Sequence, residues 1–532
     1  MFISDLKKDF FDVICSGGSR VLILVNFDVD ALCGVKILQY LLQCDHVPYS
    51  LLPIKGKTDL IQQYKQHPGA TNILINCGGN VDLVELLDPE ENAVFFVMDS
   101  HSPPDVCNVF SESQVRLLNA PDPSIPQYEK IFQDDEDEEN EEDEGEKTRE
   151  NRRWEQERNR ILFNYLQFSY YGSSSALLMY ELAWKMSRDN NDLLWWAIIG
   201  ITEQYILLKT ETDKYVLETG NVRHHVSRLN QTDDSVDSMK LSFDKELNLN
   251  LYRHWSVFDS LHHTAYTASK FKVWTLKGKQ RLYEFLAELG LPLIECKQNF
   301  ATMDLSLRNN IIDIFESKSS KYNMESITYG SFTASFGYRH KFCASDVVYA
   351  LISLMEKTES NESFLKSLDS LSRSHIDSLN LGIDRAKEKL EILMGQVQTF
   401  LDLRLIVSAG PFLYAIIQDG TPNSQFFSSP NSLTLLGQFT LRAHASVTQS
   451  KKVGNLPLVI SAPLNPEKGT CLVLGVPPIS DRSRKNLLGK AFEQSAQKTG
   501  SKYLLDYFDP SLIQLKTEDR SKFFDGLISI LT

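Results

Sequence analysis

The stretch Val21–Asp30, VLILVNFDVD, decides the fold. Its apolar run, Val21 to Phe27, is rich in β-branched and large side chains, as in a strand buried on both faces of a sheet. Two carboxylates, Asp28 and Asp30, follow it one residue apart. Residues at i and i+2 of an extended segment point the same way, so a strand ending here would aim both at one spot beyond its carboxyl end. Open α/β sheets keep their sites there. The construction recurs twice: Ile73 to Ile75 runs into Asn76, Cys77 and Gly78, and Val94 to Met98 runs into Asp99, Ser100 and His101. Three strand ends are therefore expected to share one crevice.

Working outward, strand-like runs alternate with helix-like segments from Leu6 to about Ser111, with helices expected over Ala31–Leu42 and Thr58–Gln66. That alternation predicts βαβ units, a parallel sheet and the α/β class. Pro121, Pro123 and Pro126 then lead into Asp134–Glu146, where eleven of thirteen residues are acidic. A disordered acidic insertion is expected over about 128–150. Arg149, Arg152, Arg153, Arg158 and Arg160 reverse the sign within a helix-forming stretch. Gly172–Ser175 supplies capping hydroxyls for a helix over Ala176–Met186, and a second apolar helix is expected over Asp192–Ile206. These complete a first domain, 1–225. A mobile loop is expected over 226–244, a mostly helical insertion over 245–345, and connecting helices over 346–402, including Ile383–Phe400. Past Leu403 the period shortens. Strands are expected at Leu403–Val407, Phe412–Ile417, Leu456–Ala462 and Thr470–Val476, with a helix over Lys485–Ala496, giving a smaller α/β domain over 403–532.

A chain of 532 residues exceeds what one core serves. Its formal charge is −15, but removing the eleven charges of the acidic tract leaves −4, so nucleic-acid contact would need local basic patches. The eight cysteines, at 15, 33, 44, 77, 107, 296, 343 and 471, have no Cys-x-x-Cys spacing. Neither a zinc site nor a disulfide framework is suggested, and a reducing compartment fits. The apolar run Leu193–Ile201 is far too short to cross a bilayer, so a soluble intracellular chain is expected.

The crevice, with its Asp-x-Asp, second strand end and Asp-x-His, resembles the DHH phosphoesterases, the superfamily that includes the RecJ exonuclease. That resemblance implies carboxylates and imidazoles holding two divalent ions that activate water and stabilise the leaving oxygen. Asp28 and Asp30 match the first motif, although Leu24 stands where a histidine is often found. Asn76 stands where the motif has a metal-bridging aspartate, and Asp99-Ser100-His101 stands where it reads Asp-His-His. Glu203 matches the fourth motif, an aspartate in the family. A neutral amide cannot supply the bridging charge, so the resemblance implies a degenerate site with no metal and no cofactor. The structural alternative has these residues hydrogen-bonding loop amides and each other. Thr470–Asp481 carries Gly475, Pro477 and Pro478 but lacks the histidine of the family's substrate-binding segment.

Taken whole, the chain is identified as a member of the cell division control protein 45 family, the eukaryotic relative of RecJ. The similar segments are Cys44–Val47, Phe95–His101, Gly172–Trp184, Leu194–Thr202, His254–Ser256, Gly290–Leu293, Phe336–Val348, Leu368–Ser374 and Glu518–Phe523. The resemblance implies a non-catalytic nuclear subunit of the replicative CMG helicase. Its partners would be the minichromosome maintenance hexamer, the GINS tetramer, origin-firing factors and DNA polymerase, with no membrane association. ATP hydrolysis would belong to the hexamer, since the chain has no Gly-x-x-x-x-Gly-Lys-Ser/Thr loop. The competing reading is a manganese-dependent exonuclease or phosphodiesterase using Asp28, Asp30, Asp99, His101 and Glu203.

Two further groups of residues are candidates for contact. Arg339, His340 and Lys341, followed by Phe342, together with Arg482, Arg484 and Lys485, are the candidate contacts for single-stranded DNA, by charge and stacking. Trp255, Phe258, Phe271 and Trp274 give the helical insertion an aromatic density that suits either a partner interface or a small core.

Overall fold

The computed structural model describes all residues except 19, 68–70, 133–143, 233–238, 337–339, 357–359, 449, 451–453 and 481–483, with the backbone alone at 144–150 and 231–232. Strand β1 (Val21–Asn26) runs parallel to β2 (Tyr49–Ile54) on one side and β3 (Thr71–Ile75) on the other, with Leu24 level with both Leu52 and Leu74. Next to β3 come β4 (Val94–Met98) and β6 (Val115–Leu117), so the order is β2-β1-β3-β4-β6, all parallel. Val21 to Val25 are all buried, as a central parallel strand covered on both faces requires. The α/β expectation therefore agrees with the structure. Strand β5 (His101–Ser102) pairs with β7 (Tyr170–Tyr171) beside this sheet.

The helix Val29–Cys44 lies on the sheet, and the helices Ser175–Lys185 and Asn191–Ile206 pack against it and each other. The last is buried on all sides, which explains its uninterrupted apolar character without a bilayer. Among the described residues, no helix is long and apolar enough to cross a membrane.

The expected loop over 226–244 is corrected at both ends. The helix Thr212–Thr232 runs into its first residues because Val222, Val226 and Leu229 keep the four-and-three spacing of a buried stripe. From Lys240 the chain is strand β8 (Lys240–Leu247), antiparallel to β9 (Thr328–Phe336), which also pairs with β10 (His340–Cys343). The expected helical segment over 245–345 is thus bounded by a three-stranded sheet, with its helices between β8 and β9. Disorder over about 128–150 is likewise too broad: Tyr128–Lys130 forms a short 3-10 turn, and Tyr128 stacks on Phe132 at 5.2 Å and meets Phe110 edge-on. Helix resumes over Glu144–Leu166, and most of the acidic tract lies outside the described residues.

The third sheet is mixed, in the order β11 (Val407–Ser408), β12 (Leu413–Ile416), β13 (Leu458–Asn465), β14 (Thr470–Val476), β16 (Leu512–Lys516) and β15 (Tyr503–Leu504). Leu403–Ile406, expected as strand, instead follows the helix Ile376–Asp402 through a turn in which Arg404 has φ 52°. The helices Ala344–Met355, Ile376–Asp402 and Pro430–Val447 join the first sheet's layer to the third. Glu356, just past the first of these, pairs with Lys389 of the second and accepts from the Ser432 amide and hydroxyl of the third at 3.1 and 2.6 Å. Lys389 is buried.

Direct bonds link the loop before β16 to the first sheet's site. Lys57 and Thr58 amides donate to the Asp506 carbonyl and carboxylate at 2.7 Å each, Asn80 Nδ2 donates to the Phe508 carbonyl at 2.6 Å, and the Tyr171 hydroxyl donates to Asp509 at 2.9 Å.

Candidate functional site

The crevice forms where expected, but by different local geometry. Strand β1 ends at Asn26, and Asp28 is the N-cap of the Val29–Cys44 helix, its Oδ1 accepting from the Ala31 amide at 2.6 Å. Asp30 lies in that helix's first turn rather than on a strand. The two carboxylates still converge, because Asn76 at the end of β3 donates from Nδ2 to Asp28 Oδ1 and to Asp30 Oδ2, both at 3.1 Å. Asn76 has φ 53°, a left-handed conformation that Asn tolerates. Its amide orientation is fixed, since Oδ1 accepts from the Ser100 amide at 3.0 Å and the Ser175 hydroxyl at 2.6 Å. Hydrogens therefore face the carboxylates.

The remaining oxygens are also engaged. Asp28 Oδ2 accepts from Asn26 Nδ2 at 2.9 Å. Asp30 accepts from the Ser174 hydroxyl, the Ser175 amide at 2.9 Å and the Ala176 amide at 3.0 Å, so it sits at the positive end of the Ser175–Lys185 helix. Packing there is close enough that a Cβ on Gly200 would lie 2.7 Å from Asp30 Oδ1. Asp99 Oδ2 accepts from the Gly79 amide at 2.7 Å, and Oδ1 accepts from the His101 amide and from His101 Nδ1 at 2.6 Å. Ser100, in the place of an imidazole, offers its amide to Asn76.

Glu203, near the end of the Asn191–Ile206 helix, joins the cluster through a residue that no motif marked. Leu208 takes φ 54°, and this turn brings Lys209 back so that its Nζ lies 2.7 Å from Glu203 Oε1. The ammonium also lies 4.8 Å from the centre of the Tyr171 ring. Burial pushes the Glu203 carboxyl up to about 7 against the pull of Lys209, and Asp28 and Asp30 add to the rise. Burial raises Asp28 as well, with Lys209 opposing. For Lys209 burial favours the neutral amine, but Glu203 and Asp28 outweigh it and hold the group charged. Burial likewise opposes protonation of His101, and Asp99 reverses that.

A metal pair does not fit this donor set. It needs a bridging anion where Asn76 presents N–H groups, an imidazole where Ser100 stands, and freedom from the internal donors that hold Asp28, Asp30 and Asp99. The pocket's own cationic groups are the Lys209 ammonium beside Glu203 and the His101 ring beside Asp99.

A neighbouring carboxylate makes the pH behaviour testable. Glu218, on the Thr212–Thr232 helix, is buried with Oε2 unpaired, and burial lifts it to about 7, with Lys214 opposing and Asp30 adding. A folded-state value above the unfolded one favours the protonated native form, so the stability this gives is lost as pH rises toward 7 and beyond. Glu218→Gln is therefore expected to stabilise the chain by about 1–3 kcal/mol at pH 8 and by nothing near pH 4.5, read by urea unfolding at both pH values.

The candidate DNA contacts are split. Arg484 lines a cleft of about 300 Å³ together with Asp28, His101 and Lys209, and Lys485 lies over the Tyr170 ring at 5.4 Å. The helix expected to start at Lys485 begins only at Leu488, so its N-terminal amides are not at these cations. Gly475, Pro477 and Pro478 line the same cleft. His340 stacks on Phe342 in edge strand β10, with Lys341 exposed, and neither lines that cleft. Arg339 and Arg482 lie outside the described residues.

The aromatic group is split as well. Phe271 and Trp274 are 2% and 9% exposed and pack in the core, so they are corrected as free interface residues: a module this small needs large side chains inside. Trp255 stacks on His263 at 4.9 Å, and Phe258 stacks on Tyr283 at 5.8 Å, both half-buried. The apolar side chains that face solvent most fully there are Leu276 and Ile294, 83% and 82% exposed, with Leu305.

A family model described as CDC45 matches residues 21–160 and 132–529. The chain belongs to the CDC45 family. It is 44% identical over 568 aligned residues to the cell division control protein 45 homologs of Mus musculus and Homo sapiens, covering 100% of each chain. The crystal structure of CDC45 from Entamoeba histolytica, 24% identical, matches 100% of both chains with a TM-score of 0.74, so the fold is that of CDC45. CDC45 membership carries a role in DNA replication and the cell cycle.

Proposed function

We propose that this chain is a non-catalytic nuclear subunit of the replicative helicase, acting with the minichromosome maintenance hexamer and the GINS tetramer in initiation and elongation. One observation carries the non-catalytic reading: the Asn76 amide directs its hydrogens at both Asp28 and Asp30 where a metal pair would need an anion. In this reading Asp28, Asp30, Asn76, Asp99, Ser100, His101 and Glu203 are a vestigial site kept as architecture. The division into an amino-terminal domain, a helical insertion and a carboxyl-terminal domain supports a brace, with the exposed Leu276, Ile294 and Leu305 as partner-facing surface. Origin-firing factors and DNA polymerase would meet the assembled form.

Arg484 at the cleft and Lys485 over the Tyr170 ring support contact with single-stranded DNA, as do His340 and Lys341 on their edge strand. Affinity should then fall steeply with salt, and salt-independent binding would remove these residues from the account. The decisive experiment has two arms. Co-purification should give a stoichiometric assembly with the hexamer and GINS. Incubation with labelled single strands and manganese should give no cleavage that Asp28→Ala removes; such cleavage would establish the exonuclease reading instead.

A further inference from the structure

The helix Lys57–Gln66 starts without a cap of its own. Its N-cap residue is Gly56, which has no side chain to turn onto the first amides. Asp506 supplies the cap instead, 448 residues beyond Thr58: its carboxylate accepts from the Thr58 amide and its carbonyl from the Lys57 amide. An anion from the carboxyl-terminal domain thus sits at the positive end of a helix in the first domain. The seat fits only a glycine, since a Cβ on Gly56 would lie 2.5 Å from Asp506 Oδ2. Burial pushes the Lys57 ammonium toward its neutral form and Asp506 opposes this, so a cation answers the same carboxylate.

Residues 506–509 form one wall of the cleft that Lys55, Lys209 and Arg484 also line. They bring two carboxylates to it, and the first domain holds both, Asp506 at Thr58 and Asp509 at the Tyr171 hydroxyl. A phosphate approaching the cleft's cations would meet anions already in place. We propose that residues 506–509 are an autoinhibitory strap, latched by Asp506 as a helix cap supplied in trans, which keeps single-stranded DNA out of the cleft until it lifts. The inference rests on the DNA contact proposed above and adds what holds that contact off. Phe508, 2% exposed, lies in the same apolar core as Ile54, Leu60 and Leu74, so the closed form is the resting one. DNA that enters only the open form binds with its intrinsic affinity scaled down by the open fraction.

The test uses the full chain and reads two quantities, hydrogen exchange in the segments holding Lys57, Thr58 and the strap, and binding of a labelled oligothymidylate at low salt. Asp506→Ala removes the cap, and Gly56→Ala unseats it from the other side. Gly56 is extended, with φ −170°, so the alanine brings no backbone strain of its own. Both variants should exchange about tenfold faster in these segments and bind the strand more tightly by the same factor. Asp506→Asn keeps a capping oxygen and should stay within about twofold of the native chain in both readings. Faster exchange with unchanged or weaker binding would overturn the inhibitory role and leave the DNA contact standing. Unchanged exchange in both alanine variants would overturn the latch. An absence of binding by the native chain and every variant alike would remove the DNA contact itself, and this proposal with it.

Discussion

Asn76→Asp is expected to destabilise the folded chain by about 3–5 kcal/mol at pH 7.5, measured by chemical denaturation. Asp accepts the same left-handed backbone as Asn, so the effect isolates charge. The change replaces an amide that donates at 3.1 Å to both Asp28 and Asp30 with a third anion in the same buried spot. Carboxylates this close cannot all ionise, so one takes up a proton. The new group's folded-state value is raised, and its penalty should shrink as pH falls toward 5, where a protonated carboxyl can donate one of the lost bonds. Equal stability of the two proteins at pH 7.5 would mean that the amide does not hold the carboxylates together.

Glu356→Ala is expected to lose about 3–5 kcal/mol, because it strands the buried Lys389 ammonium and frees the Ser432 amide and hydroxyl at once. The same pair exchanged for apolar residues, Glu356→Leu with Lys389→Met, should recover most of that loss, since no charge then remains to be buried. A loss under about 1 kcal/mol for Glu356→Ala would show that Lys389 finds another anion.

The first sheet was legible because its strands are continuous apolar runs and their polar ends fall in register by topology. Asp28 and Asp30 were correctly brought together for an incorrect reason: a cap and a first helical turn converge as well as two strand positions would. Strand β8 carried a readable period, with Leu241, Phe243 and Leu247 on one face, but its polar lead-in masked it and its partner β9 is some 80 residues away. Strand β9 is full of small residues, including Gly330, Ser331 and Ser335, and reads as loop.

In the pocket, Ser174 was legible as a capping hydroxyl but not as a donor to Asp30, because that contact spans 144 residues. Lys209 left only a faint signal. A turn of this kind usually announces itself with Gly or Asn, whereas here a leucine takes the left-handed position. The only clue was a lysine shortly after an apolar helix that carries an acid near its end.

The clasp of residues 506–509 onto the first sheet also sets a schedule for biosynthesis. The residues that build the pocket, up to Glu203 and Lys209, leave the ribosome about 300 residues before the segment that supplies the Asp506, Phe508 and Asp509 contacts, an interval of roughly 15–60 s at ordinary translation speeds. Throughout that time the nascent polypeptide holds an acidic hollow with one wall missing. Chaperone occupancy should therefore persist on stalled chains ending before Asp506 and drop once the loop has emerged.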